Sequence, residues 1–245
     1  MNKTFCKKNI FLSFFFAGCL ILFNLSFISC GLDTIYVIDA PSVIHEPIYS
    51  SIELPDRYFE FRTAEDYQEG ITFLGTEVFY KIYDSSSKMI SESSSINSAA
   101  SNESTANQSA SRLIESYKYQ TLRHSNDTGA NILIPKGSSK RVKIRLANDP
   151  EYDSEFTIGS KLGIPVRNIP GNKPEDKSFS FKELGSDKLP KGGENSDPDY
   201  AYSSTTEEIT EYYVALFAVS VAQDNTYSLL YSTAVYLGSV TIPLE

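Results

Sequence analysis

Tryptophan is absent from the 245-residue chain, and only two histidines, two methionines and three cysteines are present. All three cysteines, Cys6, Cys19 and Cys30, fall within the first thirty residues, so the remainder holds no thiol for a disulfide, a zinc cluster or a nucleophile. His45 precedes Glu46-Pro47 in an expected first strand, and His124 lies in a polar turn beside Asn126 and Asp127. Two such isolated imidazoles are read as surface or edge positions rather than as a metal centre or a catalytic base, and no metal or cofactor is expected. No glycine-flanked nucleophile elbow and no phosphate-cradling glycine loop occurs. Basic residues are also scarce: beyond residue 29, nineteen Lys and Arg face thirty-one Asp and Glu. A chain so acidic lacks the basic surface that phosphate binding requires, which excludes nucleic acid as a partner.

The first thirty residues have the pattern of an export signal. Lys3, Lys7 and Lys8 form a positive start, and residues 10–23 are apolar except for Ser13 and Gly18, too short a run for a comfortable membrane span. Phe27-Ile28-Ser29-Cys30 follows, a small residue before a cysteine where the chain turns polar, and it resembles the lipobox of bacterial lipoproteins. Phe27 stands where leucine is usual, a departure that the looser boxes of spirochaete lipoproteins tolerate. The resemblance implies cleavage before Cys30, a thioether-linked diacylglycerol and further acylation on that residue, and a protein held by lipid to an inner or outer membrane of the cell envelope. Two or three acyl chains at ~0.8 kcal/mol per buried methylene anchor a protein stably. Phe16-Ala17-Gly18-Cys19 is a rival box, but cleavage there divides the apolar run and leaves Leu20-Ile21-Leu22-Phe23 on the mature chain.

Residues 30–245 then form one domain, read as mostly β. Residues 58–63 and 77–83 alternate bulky with charged positions, as in Val78, Tyr80 and Ile82 against Glu77 and Lys81, the pattern of half-buried strands. Residues 141–146 place Val142, Ile144 and Leu146 on one face and Lys143 and Arg145 on the other, and Phe179-Ser180-Phe181 reads as a shorter strand. Residues 212–222 are apolar on both faces, which predicts a central strand covered on each side, and Asp224-Asn225 turns it into a hairpin with residues 227–242.

Two insertions are expected, at about residues 84–139 and 160–207. Twelve of the 27 residues from 85 to 111 are serine, a composition that by itself suggests disorder. Yet Met89, Ile90 and Ile96, then Ala106, Ala110, Leu113, Ile114 and Tyr117, recur at helical spacing, so two short amphipathic helices broken near residues 97–102 are predicted, with Asp84 placed to cap the first. The second insertion, with thirteen charged residues, four prolines and four glycines between 168 and 207, reads as long polar loop.

Ile209-Thr210-Glu211-Tyr212-Tyr213-Val214-Ala215-Leu216-Phe217-Ala218 resembles strand F of a fibronectin type III domain, Val78-Phe79-Tyr80-Lys81-Ile82-Tyr83 resembles strand C, and Ser232-Thr233-Ala234 resembles the opening of strand G. Phe59 or Phe61 stands where strand B usually carries tryptophan. The resemblance implies an immunoglobulin/fibronectin type III-like antiparallel sandwich in which Tyr212 is the corner tyrosine, its hydroxyl bonded to backbone a few residues upstream. Cys30-Gly31-Leu32-Asp33, Phe73-Leu74-Gly75-Thr76-Glu77-Val78-Phe79-Tyr80 and Tyr236-Leu237-Gly238 are together similar to a group of spirochaete lipoproteins with no assigned activity.

Three local clusters invite chemistry. Ser85-Ser86-Ser87-Lys88 has the serine-x-x-lysine spacing of penicillin-binding enzymes, although serine-rich sequence produces it by chance and the companion motifs are missing. Asp149, Glu151, Asp153 and Glu155 alternate around Pro150 and are either a calcium loop or a solvated acidic turn. Lys136, Lys140, Arg141, Lys143 and Arg145 are either an anion-binding patch, for a glycan or lipid headgroup, or an exposed strand face. Sixteen tyrosines suit a recognition surface. The expected function is therefore a lipid-anchored binding, adhesion or scaffolding module with a protein or glycan ligand. An assembly or chaperone-like factor working through an open sheet edge is the alternative, and no catalytic residue is assigned.

Overall fold

The computed structural model describes residues 36–50, 53–64, 69–99, 106–127, 132–137, 139–171, 173–203 and 208–244. The export segment 1–29, the rival boxes and the proposed lipid attachment at Cys30 lie outside these residues. In chain order the strands are β1 (Ser42–His45), β2 (Phe59–Arg62), β3 (Ile71–Tyr83), β4 (Gln120–Thr121), β5 (Arg123–His124), β6 (Ile134–Pro135), β7 (Arg141–Arg145), β8 (Glu155–Ile158), β9 (Ser160–Gly163), β10 (Pro165–Val166), β11 (Tyr200–Ala201), β12 (Glu211–Asp224), β13 (Leu229–Tyr231) and β14 (Val235–Pro243). The helices are α1 (Ser86–Asn97) and α2 (Ala106–Ser111), the second widening into a π turn at Arg112–Ser116.

Two main sheets face each other. One is antiparallel in the order β1-β2-β7-β8-β9. The other is built on the antiparallel pair β3–β12, paired from Tyr213↔Tyr83 to Asp224↔Ile71 with a one-residue bulge at Leu74, between Val221↔Gly75 and Ala222↔Phe73. The outer side of β12 is paired first by β14 and then, further along, by β13, so the expected closing hairpin exists but its return strand breaks between Tyr231 and Val235. The outer side of β3 takes β4 and β6 antiparallel and β11 parallel.

β12 is covered on both faces, as its unbroken apolar run predicts. Tyr212, Val214, Leu216 and Ala218 turn to the other sheet and pack with Phe59, Phe61, Val142, Ile144 and Phe156. Ala215, Phe217 and Val219 turn the other way, against Met89, Ile96, Ala110 and Leu113 of the helical segment. The helices are therefore a third layer laid on the sandwich. Ser85 rather than Asp84 caps α1, its hydroxyl accepting from the Lys88 amide at 3.4 Å. Asp84 instead holds the second insertion, accepting from the Tyr200 hydroxyl at 3.0 Å and from the Ser203 amide and hydroxyl.

That third layer overturns the half-buried reading of β3. Glu77 and Lys81, placed toward solvent by alternation, are 7% and 9% exposed. Lys81 Nζ reaches Glu92 of α1 at 3.3 Å, and Tyr83 donates to the same carboxylate at 2.9 Å. Arg145 is likewise 2% exposed, not on an open strand face. Phe179-Ser180-Phe181 is not a strand either: the Phe181 amide turns back to the Phe179 carbonyl at 2.9 Å, a 3₁₀ turn follows at Phe181–Glu183, and both rings are buried.

The second insertion, predicted as mostly loop, is pinned by a buried ion network. Arg167, 1% exposed, forks onto Asp199 through Nε and Nη2 at 2.8 Å each and reaches Asp197 at 2.7 Å. Tyr80 of β3 donates to Asp199 at 2.6 Å and accepts from the Asn168 amide at 2.7 Å. The forked pair and the added Tyr80 and Asp197 contacts offset the desolvation of the charges, and removing one partner of such a network typically costs about 3–5 kcal/mol.

Glu77 is less well served. Its Oε1 accepts from the Leu133 amide at 3.4 Å and lies 3.9 Å from Arg123, while Oε2 is buried with no partner among the described residues. Burial pushes its pKa up to about 7, against the pull of Arg123. The folded chain thus holds a proton that the unfolded chain releases at ordinary carboxylate pH. Stability is fullest below the unfolded pKa and falls as pH rises through about 7. Glu77→Gln should remove that fall and stabilise the protein by about 1–3 kcal/mol near pH 8, with little change near pH 4, as read by denaturant melts across that range.

Candidate ligand-binding groove

At one end of the sandwich the exit of β7, the last residues of β14 and the turn Phe181–Glu183 leave a groove of about 440 Å³. Its floor is apolar: Leu54, Leu146, Phe181, Val240, Ile242 and Pro243. Its rim carries Arg57, Asn148, Asp149, Ser180, Lys182 and Glu183. The volume is that of a small-molecule or short side-chain site, and the pairing of apolar floor with a few polar rim groups is typical of one.

Two residues build this groove: Arg145, expected in an anion-binding patch or on an exposed strand face, and Asn148, for which the sequence held no expectation. Arg145 donates to the Leu54, Pro55 and Arg57 carbonyls at 2.9, 3.1 and 3.4 Å and to Asp149 at 3.4 Å. Its guanidinium stacks over Tyr152 at 4.6 Å and Tyr58 at 5.7 Å. It thereby clamps the 3₁₀ turn Leu54–Asp56 as one wall. Asn148 ties three segments: its amide donates to Ser180 Oγ at 2.9 Å, its side-chain nitrogen to both Glu183 oxygens at 3.1 Å, and its oxygen accepts the Ser154 amide at 2.8 Å. Arg57 completes the rim on Asp149 at 3.6 Å. Burial raises the Asp149 pKa, opposed by Arg57 and Arg145. The only sequence signal for Arg145 was a cation on the wrong side of an alternating strand.

Tyr212 lies beneath the floor, paired with Ile242 and buried, its ring edge-on to Phe181 at 5.0 Å and to Tyr200 at 5.8 Å. Among the described residues none hydrogen-bonds its hydroxyl, whereas Tyr213 on the opposite face donates to Glu211.

The other sequence candidates are dispersed and occupied. Asp149 is held by arginines and Glu155 by Lys143 at 2.7 Å, so the four acidic residues do not converge, and among the described residues no group of three His, Cys, Asp or Glu is placed to hold a metal. Lys140 donates to the Pro135 carbonyl at 2.9 Å, Arg141 pairs with Glu60 and Lys143 with Glu155, which divides the basic run among separate acceptors. Lys88 Nζ points to the Ala201 and Tyr202 carbonyls at 3.3 and 3.1 Å, away from Ser85. His45 stacks on Tyr58 at 4.1 Å, and His124 stacks on Phe156 at 5.5 Å, its pKa lowered by burial.

The sheet edges are poor docking strips. β1 has four residues with a register break between Val43 and His45, and Pro41 and Pro47 flank it. β14 is crossed by residues 46–47 so closely that a Cβ on Gly238, at φ +112°, would lie 2.8 Å from Pro47 Cδ. Short, bulged or covered edges resist strand addition. Among the described residues no helix is long and apolar enough to cross a membrane. Comparison with protein-family models, curated proteins and solved structures returns no match.

With no partner for its hydroxyl among the described residues, Tyr212 is expected to act through its ring. Tyr212→Phe should change unfolding free energy by less than about 0.5 kcal/mol, while Tyr212→Ala should cost about 3–5 kcal/mol, measured by denaturant unfolding. A loss above about 1 kcal/mol for the phenylalanine variant would mean that the hydroxyl is bonded after all.

Proposed function

We propose that the protein is a lipid-anchored binding module of the bacterial cell envelope, held by acylated Cys30 and receiving its ligand in the groove at the end of the sandwich. The observation that carries the binding half is the groove itself. Asn148, Ser180 and Glu183 are already hydrogen-bonded to one another and Arg57 is paired with Asp149, so the apolar floor and the exposed Lys182 are the parts left to meet a ligand. An apolar floor of this kind supports binding or scaffolding. An assembly factor working through an open sheet edge is the weaker reading, because the edges are short, bulged or crossed.

A fibronectin type III-like identity accords with this reading. β1, β2 and β7 pair as strands A, B and E of that module do, and β3, β12 and β14 pair as C, F and G. β8 and β9, the helices and the second insertion are additions to that plan. The likeness extends to sandwich modules used in adhesion and ligand binding alike, so it leaves the ligand open.

Palmitate labelling in growing cells tests the anchor. The natural chain should be labelled and partition with detergent, and Cys30→Ala should be unlabelled, accumulating as precursor or released. Label that survives Cys30→Ala and disappears in Cys19→Ala would move the anchor to Cys19.

A photo-crosslinker tests the groove. With the signal removed and Cys30 acylated, Lys182→Cys carries the one free thiol of the chain. A benzophenone placed there should capture a ligand in intact cells, and the same group on Glu194→Cys, at an exposed site away from the groove, should not. Equal capture from both positions, or none from either, would count against the groove.

A further inference from the structure

The described chain begins at Tyr36, which packs on Gly70: a Cβ there would lie 2.9 Å from the Tyr36 hydroxyl. Gly70 adjoins Ile71, and Ile71 pairs with Asp224, the last residue of β12. The chain therefore enters the sandwich at the end where β12 turns into β13. The groove lies at the other end, where Pro243 pairs with Glu211. Thirteen residue steps of β12 separate the two ends, about 44 Å at the usual rise per strand residue.

The entry end carries the most exposed aromatic side chain among the described residues. Tyr227 is 82% exposed, and Leu229 beside it is 50% exposed. The turn that presents them is rigid. Asp224 Oδ1 accepts from the Thr226 amide at 2.8 Å, the Thr226 hydroxyl at 2.7 Å and the Ser228 amide at 2.9 Å, and the Gln223 side chain donates to the Tyr227 carbonyl at 3.1 Å. Tyr227 itself stands at φ +66°, a left-handed conformation that a bulky residue adopts at some cost and that glycine would take freely. A large aromatic ring is thus held outward in a left-handed backbone position, 82% exposed among the described residues.

We propose that this hairpin tip, Tyr227 with Leu229, seats on the lipid surface to which the chain is anchored, so that the sandwich stands with its groove turned away from the bilayer. The proposal rests on the Cys30 anchor proposed above. Five residues separate Cys30 from Tyr36, and the six steps between them limit Tyr36 to within ~22 Å of an acylated Cys30. An amphipathic ring suits the headgroup level, where its body is apolar and its hydroxyl wet. Asp224 lies at the base of the tip and Glu69 stands two residues before its partner Ile71, so the charges placed at this end are acidic and a zwitterionic lipid fits it better than an anionic one.

The natural chain has no tryptophan, so Tyr227→Trp and Tyr152→Trp each introduce a single indole, one at the tip and one by the groove. The full lipidated proteins, checked for natural melting temperature, are reconstituted into phosphatidylcholine vesicles with and without brominated chains. Bromolipid should remove most of the emission at position 227 and leave that at position 152 unchanged. Vesicle flotation with no quenching at 227, or with equal quenching at both positions, overturns the seated tip while the anchor stands. Shielding of position 227 from an aqueous quencher without bromolipid quenching assigns the tip to a protein partner and also overturns it. Failure to float, together with absence of palmitate, removes the anchor and the proposal with it.

Discussion

The antiparallel pair β3–β12 is the constraint on which the rest of the molecule depends. The pairing runs from Tyr213 to Asp224 with one bulge between Val221 and Ala222, and from Gly75 to Tyr83 and Val214 to Ala222 both strands are buried on both faces. Once paired, they present one apolar surface to β2, β7 and β8 and another to the helical segment. A slip of one residue would exchange those surfaces, placing Tyr212, Val214 and Leu216 under the helices and Phe217 and Val219 in the sandwich.

Covering both faces forces polar groups inward, and the protein meets this with dedicated partners. Lys81 and Tyr83 share Glu92 from α1, and Tyr83 also donates to Tyr119 at 2.8 Å. Arg167 and Asp199 form a forked pair that accepts Tyr80 as a third member. Each network joins the central pair to one insertion, so the serine-rich segment and the proline-rich segment are fastened to β3 by charge and hydrogen bonding as well as by apolar contact. Glu77 is the exception, with one buried oxygen unpartnered among the described residues, and burial raises its pKa to about 7, so its protonation bears on stability.

The same strands give the domain two unlike ends. One gathers Arg145, Asn148 and the 3₁₀ turns into a groove with an apolar floor; the other holds the chain entry and the rigid tip of the β12–β13 hairpin. The recognition proposed at one end and the attachment proposed at the other form a division that a sandwich supports readily, because its long strands keep the two sets of loops apart.

The sequence by itself determined the strands of strongest pattern, the double coverage of β12, and the existence of two helices in a serine-rich stretch whose composition alone suggests disorder. Apolar periodicity carries that information locally, since Met89 and Ile96, or Leu113 with Tyr117, need only their own spacing to mark a face. Tertiary structure decided what lies over each face. Alternation places Glu77, Lys81 and Arg145 opposite the apolar side, but it cannot tell water from a covering helix or a carbonyl-lined turn. The groove was illegible for the same reason: Leu54, Leu146, Phe181 and Ile242 are brought together from four distant segments, and Arg145 and Asn148 acquire their roles only when those segments meet.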